Sequence, residues 1–108
     1  MPIILPESVA SYFKARNDFD FDGILRSFDQ NAVVADEDKE HQGLAAIRSW
    51  VEETTCKYHA QVEPKNATQA DRKLVVSGLV SGDFPGSPIL LDHAFTLSRQ
   101  KISRLEIG

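Results

Sequence analysis

The acidic cluster Asp36-Glu37-Asp38 closes a short β-branched run, residues 32–36, and offers the side chains best suited to moving a proton. Alternate residues of a strand share a face, so Asp36 points the way Val34 does, and away from Val33 and Ala35. With Val34 inside, Asp36 meets an apolar interior. Burial and repulsion from Glu37 and Asp38 then both raise its pKa toward the range useful for proton transfer. The competing role is structural, accepting hydrogen bonds from the loop that leads to Gly43. His41 sits in that loop and is able to turn its ring toward Asp36, giving a pair that could act on a bound water; the plain alternative is a solvated loop histidine. His93 shares parity with Leu91, Phe95 and Leu97, which places it inward as a donor, an acid–base group or a satisfied core residue. His59 alternates with Tyr58 and Ala60, is expected to face out and receives no role.

Apolar side chains complete a candidate ligand site. Segment 82–88, Gly-Asp-Phe-Pro-Gly-Ser-Pro, reads as a connection in which Pro85-Gly86 suits the centre of a type II turn. In its functional version Phe84 leans over a cavity mouth, with Trp50 and Tyr58 as the apolar wall. No metal is expected: Asp36, Glu37, Asp38, Glu40 and His41 crowd together without the spacing of a recognised site. There is no glycine-rich phosphate loop and no nucleophile elbow, and Cys56 has no evident base beside it.

The elements that must position these residues follow from periodicity. Pro6-Glu7-Ser8 opens a helix that turns Val9, Tyr12 and Phe13 inward. Asp20 caps a short second helix with Phe21, Ile24, Leu25 and Phe28 on its apolar face, before Asp29-Gln30-Asn31 turns the chain. Gly43 precedes a third helix carrying Leu44, Ile47, Trp50, Val51 and Thr54. After Lys57 the period becomes two, with a strand from Tyr58 weakened at Pro64, a polar connection over 66–72, and strands over 73–82, 89–97 and 101–107. Helices followed by an antiparallel meander mean α+β.

A length of 108 residues with 42% hydrophobic and 26% charged side chains fits a single domain, 1–108, with its own core. Twelve basic against sixteen acidic residues argue against nucleic-acid binding, which needs cations to neutralise phosphate. One cysteine, no basic leader before the apolar run that Pro6 interrupts, and no membrane-length apolar segment lead to the expectation of a cytoplasmic protein off the membrane.

The order of motifs resembles the SnoaL-like, nuclear-transport-factor-like superfamily, the α+β cone that also houses ketosteroid isomerases. The resemblance runs through Tyr12-Phe13-x-Ala15-x-Asn17 with Asp20, Phe28-Asp29-x-Asn31-Ala32-Val33-Val34-x-Asp36, Gly43-x-x-Ala46-Ile47-Arg48-x-Trp50, and the closing Phe95-Thr96-Leu97 and Lys101-Ile102-x-x-Leu105. It covers essentially the whole chain. It implies a cone-shaped, curved antiparallel sheet, cystatin-like in architecture, packed against about three helices around an apolar cavity. It also implies that Asp36 stands at the position of the isomerase base and Tyr12 at that of the oxyanion-donating tyrosine; the alternative for Tyr12 is a core aromatic. The third isomerase element departs: Leu91 takes the protonated-aspartate position, Asp92 points away, and His93 is the polar group left on the inward face. The resulting expectation is a cofactor-independent isomerase, cyclase or lyase acting as a homodimer on a hydrophobic, carbonyl-bearing small molecule. Asp36, Tyr12 and His93 would do the chemistry while His41, Trp50, Tyr58 and Phe84 contact the ligand. Two alternatives stand beside it: a non-catalytic dimeric binding or association module, and a hydrolase or dehydratase working through Asp36 and His41.

Overall fold

The computed structural model describes residues 4–108; residues 1–3, where the interrupted apolar run begins, lie outside the described residues. The elements run α1 (Glu7–Asn17), α2 (Phe21–Arg26), β1 (Phe28–Asp36), β2 (Lys39–Gln42), α3 (Leu44–Tyr58), β3 (Gln61–Ala70), β4 (Lys73–Ser81), β5 (Ile89–Ser98) and β6 (Lys101–Ile107). The six strands form one sheet in the order β2-β1-β6-β5-β4-β3. Three helices on one face of a mixed sheet make the α+β architecture expected.

Local chemistry explains where the helices start and stop. Pro6 occupies the N-cap of α1, where its missing N–H leaves no donor unpaired, and Glu7 lies in the positive first turn. The helix buries Val9, Tyr12 and Phe13, as their spacing predicts. It ends where the Asn17 side chain turns to β3: Asn17 Nδ2 donates to the Val62 carbonyl at 2.8 Å and Val62 N–H donates to Asn17 Oδ1 at 2.7 Å. This two-bond clasp fixes the last turn of α1 over the sheet. Asp20 caps α2 as expected, its Oδ1 accepting from Gly23 N–H at 3.1 Å. Helix α3 buries Ile47, Trp50 and Val51 and closes with His59 in the left-handed region.

The core lies between α1, α3 and the concave face of the sheet. Tyr12 makes edge-to-face contacts with Phe13, Phe28 and Phe95 at centroid separations of 5.4, 5.7 and 5.7 Å. Such pairs contribute roughly 0.5–1.5 kcal/mol each beyond the burial of their area. On the inner face of β1, Ala32 and Val34 are fully buried, which confirms the parity that turns Asp36 inward.

Several expectations about the elements are corrected. Asp29-Gln30-Asn31 does not turn the chain but belongs to β1, where a shift in register between Phe28 and Val33 absorbs the polar residues against β6. The pairing of β1 with β6 is parallel, so the sheet is mixed rather than a pure meander. His41 is in a strand, β2, not a loop; Glu37 (φ 54°) and Asp38 (φ 62°) form the two-residue hairpin turn joining it to β1. Tyr58 ends α3 instead of starting a strand. Residues 66–70 extend β3, paired with β4 from Gln61↔Ser81 to Ala70↔Lys73, because the meander supplies a partner for every one of these polar residues and a bulge near Pro64 keeps the register.

Candidate functional site

A cavity of about 360 Å³ opens at the end of the cone where α1, the end of β1, the end of α3 and the 82–88 connection meet. Its apolar wall includes Val62, Val80, Leu91 and Ile107, and its polar groups are few: Tyr12, Arg16, Asp36, Thr54 and His93, with Glu37, Tyr58 and Gln61. An apolar chamber with a few convergent polar groups is the usual form of a small-molecule site. A larger groove of about 710 Å³ runs outside the cone, along α1, α2 and the β5–β6 turn. Its charges include the solvent-exposed Lys14–Asp18 and Arg26–Asp20 pairs, and it contains none of the inward polar groups named above.

Asp36 enters the cavity from the last position of β1. The indole N–H of Trp50, on α3, donates to its Oδ2 at 3.0 Å. Burial raises the Asp36 pKa above the ordinary 3.8; the Trp50 hydrogen bond opposes this, Glu37 adds to it, and Arg16 and a Glu37 backbone contact lower it. The Trp50 side chain thus joins the backbone of the turn in holding Asp36. Trp50 therefore stands behind Asp36 and orients it, rather than lining the chamber.

Tyr12 reaches the cavity from α1, one residue before the T-shaped contact with Phe13. Among the described residues its hydroxyl has no hydrogen-bond partner, yet the oxygen is not one of the solvent-inaccessible orphans, because it faces the chamber. Burial pushes its pKa up, keeping the proton available for donation. His93, inward on β5, is 3% exposed, with Nδ1 3.1 Å from the Leu91 carbonyl. A carbonyl only accepts, which assigns the proton of the neutral ring to Nδ1. Burial lowers the His93 pKa below 6.5, against the raising influence of the Leu91 and Val76 backbone. Its ring lies parallel to Phe95, and Gly78 leaves the space it fills: a Cβ there would stand 3.2 Å from His93 Cε1 and 2.6 Å from Val62 Cγ2. Asp92 faces outward and accepts from Ser77 Oγ at 3.1 Å.

The rim is built by Tyr58 and Phe84, in edge-to-face contact at 5.9 Å. Tyr58 Oη donates to Glu37 Oε1 at 3.1 Å, which ties the end of α3 to the β1–β2 turn. The 82–88 connection is held by a hydrogen bond from Asp83 N–H to the Tyr58 carbonyl at 2.7 Å, and Ser87 N–H reaches the Phe84 carbonyl at 3.3 Å across Pro85-Gly86. Gly86 has φ 89°, the left-handed value that a type II turn demands at its third position.

His41 is not brought to Asp36. Its ring tilts against Trp50 at 6.1 Å, among the described residues it makes no ion pair, and it does not line the cavity. The water-activating pair on which a hydrolase or dehydratase was expected to rest is not formed: β2 lies at the sheet edge with the His41 ring against Trp50, and it is Trp50 that contacts Asp36. His59 is exposed, 3.5 Å from Asp83. Among the described residues no cluster of three His, Cys, Asp or Glu side chains is placed to hold a metal ion, and no helix is long and apolar enough to cross a membrane.

Arg16 and Thr54 were not foreseen as cavity residues. Arg16 follows Tyr12 by four, so it stands over it on the same face of α1, and that spacing was the available signal. Its guanidinium lies 5.0 Å over the Trp50 ring, and one nitrogen reaches Thr54 Oγ1 at 3.4 Å.

No family model matches the sequence, and no curated protein matches it. Solved structures do. A Sinorhizobium meliloti protein proposed to be a polyketide cyclase shares 39% identity over 96% of this chain and 95% of its own, with a TM-score of 0.93. A Catenulispora acidiphila protein of ketosteroid isomerase-like fold, solved with trimethylamine, gives a TM-score of 0.83 at 15% identity over 97% of this chain and 86% of its own. The epoxide hydrolase/cyclase-like enzyme SalBIII, of pyran ring formation in salinomycin, gives 0.80 at 24% identity over 94% and 86%. The last two are likenesses of fold.

Proposed function

Because the chain belongs to the SnoaL-like, nuclear-transport-factor-like superfamily, we propose that it is a cyclase-type proton-transfer enzyme acting on a hydrophobic, carbonyl-bearing small molecule. The observation that carries this reading is the convergence of the Asp36 carboxylate and the Tyr12 hydroxyl on one apolar cavity, with neither group consumed by a partner that would prevent its use. The S. meliloti protein's proposed assignment as a polyketide cyclase supports it.

In this mechanism Asp36 takes a proton from the carbon next to the carbonyl, and the electron pair of the broken C–H bond moves to the carbonyl oxygen. Tyr12 donates a hydrogen bond to the enolate oxygen so formed. The enolate carbon then either attacks a second carbonyl, whose π pair moves to its oxygen and takes the proton back from Asp36 as the ring closes, or itself recovers the proton from Asp36 at another position, giving an isomer. The raised pKa of Asp36 suits both removal and return of the proton. His93, neutral and with Nδ1–H engaged, is a positioning group and a donor-poor wall rather than a general acid. No redox group or metal is required by these steps.

The same reading takes the protein as a cytoplasmic homodimer. Its support is the lone Cys56 and the exposed Leu90, at 61%, on the outer face of the sheet. The test of the catalytic reading is hydrogen–deuterium exchange α to the carbonyl of 2-tetralone, followed by NMR in deuterated buffer. Exchange above the buffer rate that falls roughly 10²–10⁴-fold in Asp36→Asn supports it; exchange at the buffer rate, or unchanged by the substitution, refutes it.

A further inference from the structure

Arg16 is the one lysine or arginine among the described residues lining the cavity, and its charge is incompletely met. Nη1 is inaccessible to solvent and has no hydrogen-bond partner. Nη2 has only a long contact, 3.4 Å, to a Thr54 hydroxyl that already lies 2.9 Å from the Trp50 carbonyl. Neither acid of the chamber lining, Asp36 or Glu37, makes an ion pair with it within 4.0 Å. Glu37 is engaged by Tyr58 at the rim. Arg16 is half-buried, and a half-buried cation without an ion-pair partner favours an anion beside it. The Trp50 ring lies beneath it, 5.0 Å from Cζ, and holds the cation at the chamber wall.

We propose that Arg16 is the ligand-recognition residue of the cavity and that the molecule bound there carries a carboxylate on a hydrophobic body. A carboxylate offers two acceptors that guanidinium donors match, and would supply the anion that the one cation lining the chamber lacks. The body would lie against Val62, Val80, Leu91 and Ile107. Asp36, at the indole N–H of the ring whose face carries Arg16, then meets a different part of the ligand from the part Arg16 holds. This inference rests on the cavity being a ligand site, as proposed above, and adds the class of ligand.

The experiment is a comparison of 2-naphthoate with 2-naphthamide, its neutral isostere, by isothermal titration calorimetry at neutral pH. The wild-type protein should bind the acid at least about tenfold more tightly than the amide. Arg16→Gln should lose that preference through the acid alone, with amide affinity kept, and Arg16→Lys should retain part of it. The wild-type ratio needs no variant, so a fold defect in Arg16→Gln, visible in its thermal melt, does not obscure the answer. Equal affinity for acid and amide, or a ratio unchanged in Arg16→Gln, overturns the inference while leaving the cavity as a neutral-ligand site. Binding of neither probe overturns both readings.

Discussion

Trp50 donates its indole N–H to Asp36 across 3.0 Å, and the face of the same ring carries the guanidinium of Arg16. One side chain of α3 thus sets the position of the base and of the one cation that lines the cavity among the described residues. Because the hydrogen bond favours charged Asp36, its removal in Trp50→Phe should raise the Asp36 pKa further. Carboxylate chemical shifts followed through a pH titration check this. The variant should also lose about 1.5–3 kcal/mol of stability, as expected for a hydrogen bond to a charged group.

Asp36→Asn retains an oxygen that can accept from Trp50 but removes the buried charge. The sign follows from linkage: a carboxylate with a raised folded-state pKa stabilises the fold fully below its ordinary 3.8, and that contribution is lost as pH rises through the raised value. At neutral pH the variant should therefore melt at or above the wild-type temperature, and the difference should shrink as pH falls toward 3.8. Paired thermal melts across that window measure it. A variant less stable at neutral pH than at acid pH, relative to wild type, would contradict the assignment of burial as the dominant cause.

Tyr12→Phe separates a donor from a core aromatic. The ring contacts remain, and the lost hydroxyl has no described protein partner, so stability should stay within roughly 0.5 kcal/mol. Exchange of the ketone α-protons should fall roughly 10²–10³-fold, the cost of deleting one oxyanion donor. A large stability loss with unchanged exchange would make Tyr12 a packing residue.

His93 gives a pH dependence of opposite sign to Asp36. Its pKa is lowered, so the stability of the neutral ring is fully present above 6.5 and is lost as pH falls from there to the folded-state value, where the unfolded chain binds the proton first. Thermal melts of the wild type should show a decline beginning just below 6.5. In His93→Gln that component of the slope should be missing.

Gly78→Ala should cost about 1–3 kcal/mol, since the new methyl would press on Val62 Cγ2 and on the His93 ring. The His93 Cε1 proton resonance should move with it, and ligand affinity should drop because both neighbours line the cavity. Chemical denaturation and a one-dimensional proton spectrum suffice.

Much of the site was legible from spacing. The period of two in β1 placed Asp36 beside Val34, the period in β5 put His93 inside and Asp92 outside, and Pro85-Gly86 named its own turn. The hairpin at Glu37-Asp38 was hidden because its positive φ values fall on residues other than the glycine or asparagine that normally announce them. Strand β3 was truncated because it is a sheet edge whose residues from Asn66 onward are polar or small and mostly exposed, so no apolar alternation marks it. Arg16 escaped notice for another reason. An arginine in the last turn of a helix is ordinarily a solvated complement to the dipole, and its burial depends on Trp50 and Thr54, far along the chain.

The parallel pairing of β1 with β6, which sets Phe28 against Ile102, also governs when the molecule can assemble. Strand β1 carries Asp36, yet its inner neighbour is synthesised after every other strand. On a ribosome, α1, α2 and the β1–β2 hairpin must wait with one edge open, while β3, β4 and β5 can pair locally as they emerge. The high sequence separation of this contact makes its closure the slow, entropically demanding step, and the proton-transfer cavity comes into being only then.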